Sequence, residues 1–346
     1  MKKDIRLLSL DELKEEITLL GEKAFRAKQV YEWLWKKACT DFNLMTNLSI
    51  SFREKLKEHF EINEIKFDKN QVSSDGTVKY RFLLQDGHKI ESVLIPVDKD
   101  KRYTVCVSSQ VGCSLSCKFC ATGQMERMRN LDPGEIYDQV TMVSAHCEEL
   151  YGHGITNIVY MGMGEPLLNY KNTLQSIRLI TSEKGLAMSP RRITISTVGI
   201  AKMIHKLCTE DIKVNLALSL HAADDEKRSE IMPINHQNDL KSLMVALKEF
   251  FEKTNNRISY EYIAFRDFND SIKDAEKLVK LCSSFPVRVN IIEYNPVQGV
   301  TYTKASEDQI NKFALHLTKK GIIATVRRSR GKDIDAACGQ LANKDN

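Results

Sequence analysis

The sequence predicts an α/β protein built on a partial (β/α)6 TIM-like barrel, with a small, mainly helical N-terminal accessory domain and a β-hairpin extension ahead of it. Three observations lead to this fold. Between residues 103 and 320 an apolar strand pattern alternates six times with a helical pattern, and repeated strand-then-helix units imply parallel strands joined by right-handed crossovers. The strands are apolar and β-branched, as strands covered on both faces are. Polar or glycine-rich residues recur just after the strands, at the end where parallel α/β folds bind ligands. Eight units would close a full barrel, so six point to an open one; periodicity alone leaves a doubly wound sheet as the alternative.

Residues 1–65 read as the helical accessory domain. Ser9 and Glu12 form a capping-box pattern ahead of Leu13, Ile17 and Leu20 at helical spacing. A second helix over 24–37 carries Phe25, Val30, Trp33 and Leu34, an apolar stripe that belongs in a core. Over 66–100 the period changes to two. Strands at 78–84 and 89–95 flank Gln85-Asp-Gly-His88, a hairpin signal because Asp-Gly suits the positive φ of a tight turn. The charged turn Asp98-Lys-Asp-Lys-Arg102 leads into the barrel, residues 101–322. Its strands are expected at 103–108, 157–161, 192–197, 214–220, 258–264 and 287–293, and its helices at 133–150, 170–184, 199–209, 239–254, 271–284 and 306–320. Residues 323–346 remain as a basic C-terminal segment with a cysteine loop around Cys338.

With 346 residues, 42% of them hydrophobic, the chain can bury one large core, or one large and one small. The net charge of +5 decides little by itself. Its distribution says more: Lys319, Lys320, Arg327, Arg328, Arg330 and Lys332 fall in one run without an acidic residue, and Arg127, Arg129, Arg191 and Arg192 form smaller groups. Such clusters suit either a phosphate backbone or a solvated face. No stretch of 18 apolar residues occurs, and none follows the charged N-terminus, so neither a membrane span nor a secretory leader is expected and the location is expected to be cytoplasmic. Nine cysteines, an odd number, argue against a disulfide framework in a reducing compartment. Any disulfide here is expected to be transient and catalytic.

Cys113, Cys117 and Cys120 are the most informative residues. They stand at C-x3-C-x2-C spacing after the first barrel strand, with no fourth cysteine beside them. Three thiolates can hold three irons of a cubane and leave the fourth open to a small molecule, whereas structural metal sites close their coordination with four protein ligands. The alternative is a zinc site whose fourth ligand lies elsewhere, although a second C-x2-C knuckle is lacking. Cys39, Cys147, Cys208 and Cys282 sit in apolar or helical contexts that suit buried thiols; Cys106 and Cys338 do not. Further along, Gly162-Met-Gly-Glu-Pro166, Ser196-Thr-Val-Gly199, Ser219-Leu-His221 and Asn295-Pro296 each end a predicted strand. Singly they read as turns or a core histidine; jointly they converge on one mouth.

These residues carry a resemblance. A cysteine triad after strand one and a Gly-Glu-Pro loop after strand two resemble the radical S-adenosylmethionine (SAM) superfamily. More closely, Val107-Ser-Ser-Gln-Val-Gly-Cys113, Met161-Gly-Met-Gly-Glu-Pro-Leu167, Ser219-Leu-His-Ala222, Asp333-Ile-Asp-Ala-Ala-Cys-Gly-Gln-Leu341 and Phe25-Arg-Ala-Lys-Gln-Val30 resemble the RlmN family of dual-specificity RNA methyltransferases. The resemblance implies a radical SAM barrel in which Cys113, Cys117 and Cys120 hold one 4Fe-4S cluster. Gly164 and Glu165 then hold the methionyl part of SAM, and Ser196, Ser219, Leu220, His221 and Asn295 the rest of it. The implied substrate is adenosine, at carbon 2, in 23S rRNA near the peptidyl transferase centre and in tRNA next to the anticodon.

Carbon 2 lies between two ring nitrogens and is too electron-poor to attack a methyl sulfonium, so a radical route is needed. The family scheme consumes two SAM molecules per methylation. Cys338 matches the cysteine that is first methylated and then joined to the base, Cys106 the one that releases product through a transient disulfide, and Glu91, in Glu91-Ser-Val-Leu-Ile-Pro96, the acceptor of the carbon-2 proton. A one-electron donor such as flavodoxin and a monomeric state complete the implied picture. Two alternatives compete. A Cfr-type enzyme would methylate carbon 8; Gly164-Glu-Pro166 and the full N-terminal region favour carbon 2. A non-catalytic RNA-binding protein would hold a structural metal and consume no SAM.

Overall fold

The computed structural model describes residues 2–344. The N-terminal region packs α1 (Leu10–Leu19), α2 (Arg26–Trp35) and α3 (Ile50–His59), and the parallel pair β1 (Lys3–Asp4) and β2 (Phe60–Glu61) ties its two ends together. The capping box forms in both directions: Glu12 N–H donates to Ser9 Oγ at 3.2 Å and Ser9 N–H donates to the Glu12 carboxylate at 2.7 Å. Three strands follow, β3 (Lys66–Val72), β4 (Val78–Leu83) and β5 (Lys89–Val97), and β5 pairs antiparallel with the first barrel strand, β6 (Arg102–Cys106).

The short ladder of β7 (Gln110–Val111) and β8 (Arg129–Asn130) closes the base of the cysteine loop. Beyond it run α4 (Pro133–Tyr151), β9 (Asn157–Tyr160), α5 (Tyr170–Thr181), β10 (Ile193–Thr197), α6 (Ala201–Leu207), β11 (Asn215–Ser219), α7 (Asp225–Ile231), α8 (Leu240–Thr254), β12 (Ile258–Ala264), α9 (Ile272–Leu281), β13 (Val287–Glu293), α10 (Glu307–Lys319) and β14 (Ile323–Arg327). The sheet order is β14-β13-β12-β11-β10-β9-β6-β5-β4-β3, parallel from β14 to β6 and antiparallel from there. No helix among the described residues is long and apolar enough to cross a membrane.

The predicted strands and helices recur with boundaries shifted by one to a few residues. Three elements differ from expectation. β14 adds a seventh parallel strand where a basic segment was read; its alternation of exposed and half-buried residues marks an edge strand, which shows only half a hydrophobic signal. β3 extends the hairpin to three strands and is likewise a polar edge. α7 lies in what sequence leaves as a loop, because Arg228 and Ile231 are its only buried residues.

Alternation along the strands sorts the core. On β10, β11 and β12 one face sends Ile195, Leu216, Leu218, Tyr260 and Tyr262 into the buried core, while the other carries Ser196, Ser219, Ser259 and Glu261. The concave side of the barrel is therefore polar. A second, smaller apolar cluster, containing Leu115, Cys117, Phe119, Ile231, Met232, Phe265 and Tyr294, seats the cysteine loop at the strands' C-terminal ends.

Two polar networks fasten the ends of the chain to this frame. At the N-terminus Arg6 Nη1 meets Asp138 Oδ1 at 2.7 Å with side-chain exposures of 3% and 9%, Ile65 N–H donates to Asp138 Oδ2 at 3.2 Å, and the Tyr137 hydroxyl donates to the Trp35 carbonyl. At the C-terminus the buried carboxylate of Glu293 accepts from Lys304 at 3.0 Å, Arg328 at 2.7 Å and Lys332 at 2.8 Å. Burial opposes its ionisation, but those three cations and the Ser329 amide outweigh it and hold the carboxyl down at about 2. Arg328 and Lys332, read from sequence only as part of a basic run, are paired with this buried acid, Arg328 with Glu307 as well, while their side chains stay about half exposed.

Removing Arg6 leaves Asp138 buried without its cation. Arg6→Ala is expected to cost about 3–5 kcal/mol in urea unfolding at neutral pH, and Arg6→Ala with Asp138→Asn to recover most of that. Glu293→Gln is expected to loosen residues 328–332, so that trypsin cuts there faster than in the unaltered protein. The sign with pH follows from a depressed acid: the stabilising effect of Glu293 is complete above the ordinary carboxyl value of about 4.3 and disappears as pH falls through about 2. The stability gap between Glu293→Gln and the unaltered protein is expected to stay constant from pH 8 to pH 5 and to narrow below that.

Candidate active site

The cysteine loop is held from three sides. Lys118 N–H donates to the Ile231 carbonyl at 3.0 Å, Ala121 N–H to the Gly339 carbonyl at 2.7 Å, and Thr122 Oγ1 to the Leu341 carbonyl at 2.7 Å. Gly123 lets the loop close on itself, since a Cβ there would stand 2.9 Å from the Cys117 carbonyl oxygen. Cys117 is buried, and Cys113 and Cys120 are half-buried. Burial pushes the Cys113 thiol up to about 11, with Cys120 adding to it, and pushes Cys117 well up, with Cys120 and Cys113 adding to it. Three thiols gathered in one loop, with Cys120 raising the other two and Cys113 raising Cys117, form a donor set that the irons of a cluster satisfy. Among the described residues no three His, Cys, Asp or Glu side chains gather as one metal ion requires; a cubane takes each thiolate at a separate corner and needs them further apart.

The predicted strand-end residues line the same mouth. Gly164 has φ +95°, and a Cβ on it would lie 2.5 Å from Cβ of Gln110, so the chain there can be only glycine. Gln110 Oε1 accepts from Glu165 N–H at 2.8 Å. The Glu165 carboxylate is buried and accepts from Val198 N–H at 2.9 Å and Leu167 N–H at 3.0 Å; burial lifts it to about 7 against those bonds, which suits an acid that waits for a cationic ligand. Ser196 Oγ and Ser219 Oγ stand 3.5 Å apart. Leu220 is fully buried, and the Asn295 amide donates to the Glu293 carbonyl at 3.3 Å.

His221 is held by structure that sequence did not show. Its Nδ1 accepts from Ile263 N–H at 3.1 Å, its ring meets Phe119 edge-on at 4.8 Å, and burial, with Arg228 nearby, lowers it to about 3, so it is a neutral imidazole. Its backbone has φ +54°, and Asn269 supports that turn by donating to the His221 and Ile263 carbonyls at 2.6 and 2.8 Å. Asn269 and Arg228 escape sequence reading because most of their partners are backbone atoms, which no residue pattern marks.

Cys106 ends β6 and faces into the site: it is buried, accepts from Met161 N–H, and both burial and the neighbouring Cys338 raise its thiol far above the ordinary range. Cys338 keeps access to solvent yet lies deep enough for burial, and then Glu261, to raise its thiol, while Arg327 pulls it back. The C-terminal segment carries Cys338 here along a continuous track. Gly331 N–H donates to Asp75 at 3.0 Å, Asp333 accepts from Ser73 Oγ at 2.5 Å and from Ser74 N–H at 3.0 Å, and Gln340 donates to the Pro296 carbonyl at 3.2 Å. Glu91, which a hairpin position would ordinarily leave in solvent, is buried at 2% exposure. Its Oε2 accepts from Ala342 N–H at 2.9 Å and Asn343 N–H at 3.1 Å, and Lys79 lies 3.7 Å from its Oε1.

Comparison with known proteins agrees with this architecture along the whole chain. Residues 4–62 match the ribosomal RNA large subunit methyltransferase N-terminal domain, and residues 107–282 the radical SAM superfamily. A probable dual-specificity RNA methyltransferase RlmN of Cytophaga hutchinsonii is 54% identical over 99% of this chain and 94% of its own length. A dual-specificity RNA methyltransferase RlmN of Nitratiruptor is 43% identical over 99% of this chain and 98% of its own. The crystal structure of a radical SAM methyltransferase from Sphaerobacter thermophilus superimposes with a TM-score of 0.92 at 38% identity, covering 99% of this chain and 100% of that one. Superfamily membership brings SAM and a 4Fe-4S cluster with it. The chain belongs to the RlmN family of dual-specificity RNA methyltransferases, within the radical SAM superfamily.

Proposed function

We propose that this enzyme methylates carbon 2 of adenosine in 23S rRNA and in tRNA next to the anticodon, through Cys338 as methyl carrier and Cys106 as resolving thiol. One observation carries the reading: two cysteines 232 positions apart in sequence share one mouth with the cysteine loop, and a clamped segment holds the second of them there. Core thiols need neither the clamp nor the access to solvent that Cys338 keeps.

In this reading Cys113, Cys117 and Cys120 hold the cluster. Gly164 and Glu165 take the methionyl end of SAM, and Ser196, Ser219, Leu220, His221 and Asn295 the remainder. Cluster and SAM, when bound, supply the one-electron chemistry that abstracts hydrogen from an S-methyl group. The residues of the chain do the rest. Cys338 sulfur carries the methyl group to the base. Glu91 receives the carbon-2 proton, which requires its two bonds to the Ala342 and Asn343 amides to be exchanged first. Cys106 sulfur attacks Cys338 sulfur, the bond from that sulfur to the methylene carbon on the base breaks, and the carbon takes a proton to become the methyl group of the released RNA while the two sulfurs stay joined as a disulfide. Both thiols start protonated, so each attack needs a proton acceptor. Two SAM are consumed per methyl delivered, by a monomer working in the cytoplasm with a one-electron donor such as flavodoxin.

The test separates the two cysteines. Cys106→Ala is expected to accumulate enzyme joined to a nuclease-sensitive RNA fragment on a denaturing gel, whereas Cys338→Ala, lacking the carrier, traps none. Cys117→Ala is expected to lose 5′-deoxyadenosine formation entirely. Methylation of RNA by both Cys106→Ala and Cys338→Ala would end the two-thiol reading. Mass spectrometry of the product is expected to give 2-methyladenosine, and 8-methyladenosine would transfer the assignment to the carbon-8 class.

A further inference from the structure

Arg228, on α7, is the buried charge that the chemistry above does not use. Its side chain is completely buried, and all of its hydrogen bonds go to neutral oxygens. Nε donates to the Leu220 carbonyl at 3.1 Å, Nη1 to Asn235 Oδ1 at 2.6 Å, and Nη2 to the Ser219 carbonyl at 3.3 Å and to the Val198 carbonyl. The contrast with Arg6 is informative, since that equally buried guanidinium has the Asp138 carboxylate against it. Burying a guanidinium without an anion in contact costs several kcal/mol, and five neutral-acceptor bonds at most could offset only part of that. An anion nearby would complete the balance.

Geometry shows which group occupies that side. The helix that carries Arg228 also receives the cysteine loop: Lys118 N–H donates to the Ile231 carbonyl at 3.0 Å, and Ile231 and Met232 pack with Leu115, Cys117 and Phe119 in one apolar cluster. On its other side Asn235 stands between Arg228 and the nearest carboxylate, accepting from Arg228 Nη1 at 2.6 Å and donating to Asp225 Oδ1 at 2.9 Å, so that acid does not touch the guanidinium. His221, whose ring meets Phe119 of the cysteine loop at 4.8 Å, is neutral and cannot take this role. The guanidinium also grips the carbonyls of Val198, Ser219 and Leu220, the backbone that ends β10 and β11.

We propose that Arg228 is the fixed positive counter-charge of the iron-sulfur site, a positioning residue that holds the strand ends under the SAM pocket and raises the reduction potential of the cluster on Cys113, Cys117 and Cys120. This rests on the cluster reading above and deepens it. A unit positive charge in a low-dielectric surrounding favours the state with the extra electron. Its loss therefore moves the potential to more negative values.

The experiment is an EPR-monitored redox titration of anaerobically reconstituted full-length protein, with iron and sulfide content measured in parallel. Arg228→Gln is expected to shift the reduction equilibrium at least tenfold toward the oxidised cluster, about 59 mV for a one-electron couple. Arg228→Lys, which keeps the charge and loses the fork, is expected to stay within threefold of the unaltered protein. If Arg228→Gln does not fold, Arg228→Met removes the charge while filling the same buried space without a polar group to satisfy, with the same negative shift expected. A loaded Arg228→Gln or Arg228→Met cluster with an unchanged potential would overturn the proposal. Failure of the unaltered protein to bind iron and sulfide would instead overturn the cluster reading itself.

Discussion

The carboxylate of Glu293 decides where the C-terminal segment runs. It stands at the end of β13, buried at 2% exposure, and three cations converge on it, two of them from residues 328–332. An acid in that position without partners would be expelled to solvent or protonated. With them it turns the chain, just after β14, across the mouth of the barrel instead of away from it. Everything downstream follows from that turn. The segment meets the β3–β4 turn through Asp75, Ser73 and Ser74, then the cysteine loop through Gly339 and Leu341, and finally Glu91 through Ala342 and Asn343. A contact at the sheet edge thereby determines which thiol faces the cysteine loop.

The mouth is electrostatically unusual because most of its titratable groups are held neutral. Burial lifts Glu165 to about 7, keeps His221 uncharged and keeps the loop thiols protonated. Arg228 stays charged among them. The mouth thus sets a fixed guanidinium in a low-dielectric surrounding beside a carboxylic acid whose ionisation burial opposes. The guanidinium is buried away from bulk salt, so its charge is little screened.

How much of this could be read from the sequence depends on the distance over which each feature is decided. The strand-helix units were legible because β12 and β13 keep an apolar residue at every second position, Ile258, Tyr260 and Tyr262 on one and Val287, Val289 and Ile291 on the other, and the cysteine loop because its three donors lie within eight residues. α7 was not legible: in Asp225-Glu-Lys-Arg-Ser-Glu-Ile231 the inward residue one turn before Ile231 is an arginine, which a hydrophobic pattern counts as surface. β14 was hidden for a related reason, since its Arg327 belongs to a basic run that composition reads as solvated. Glu91 shows the limit most clearly. On its own strand it looks like a surface carboxylate, and only a segment 251 residues later in the chain buries it.

That segment is fastened unequally along its length. Its beginning is held by ion pairs to the buried Glu293 carboxylate, its middle by Asp75 and Asp333, and its end by single backbone groups, two amides donating to Glu91 and the Leu341 carbonyl accepting from Thr122. The ion pair of Lys344 with Asp335 at 2.8 Å joins two parts of the same segment and is one-third exposed, so it adds little and moves with the chain. Opening free energies follow local contact, and the end therefore loosens before the start. Release of the end frees the Glu91 carboxylate and loosens the loop beyond Gly339 together, because both depend on the same few residues. Exposure of Glu91 and freedom of the Cys338 loop are thus coupled, because the same short stretch of chain covers the one and tethers the other.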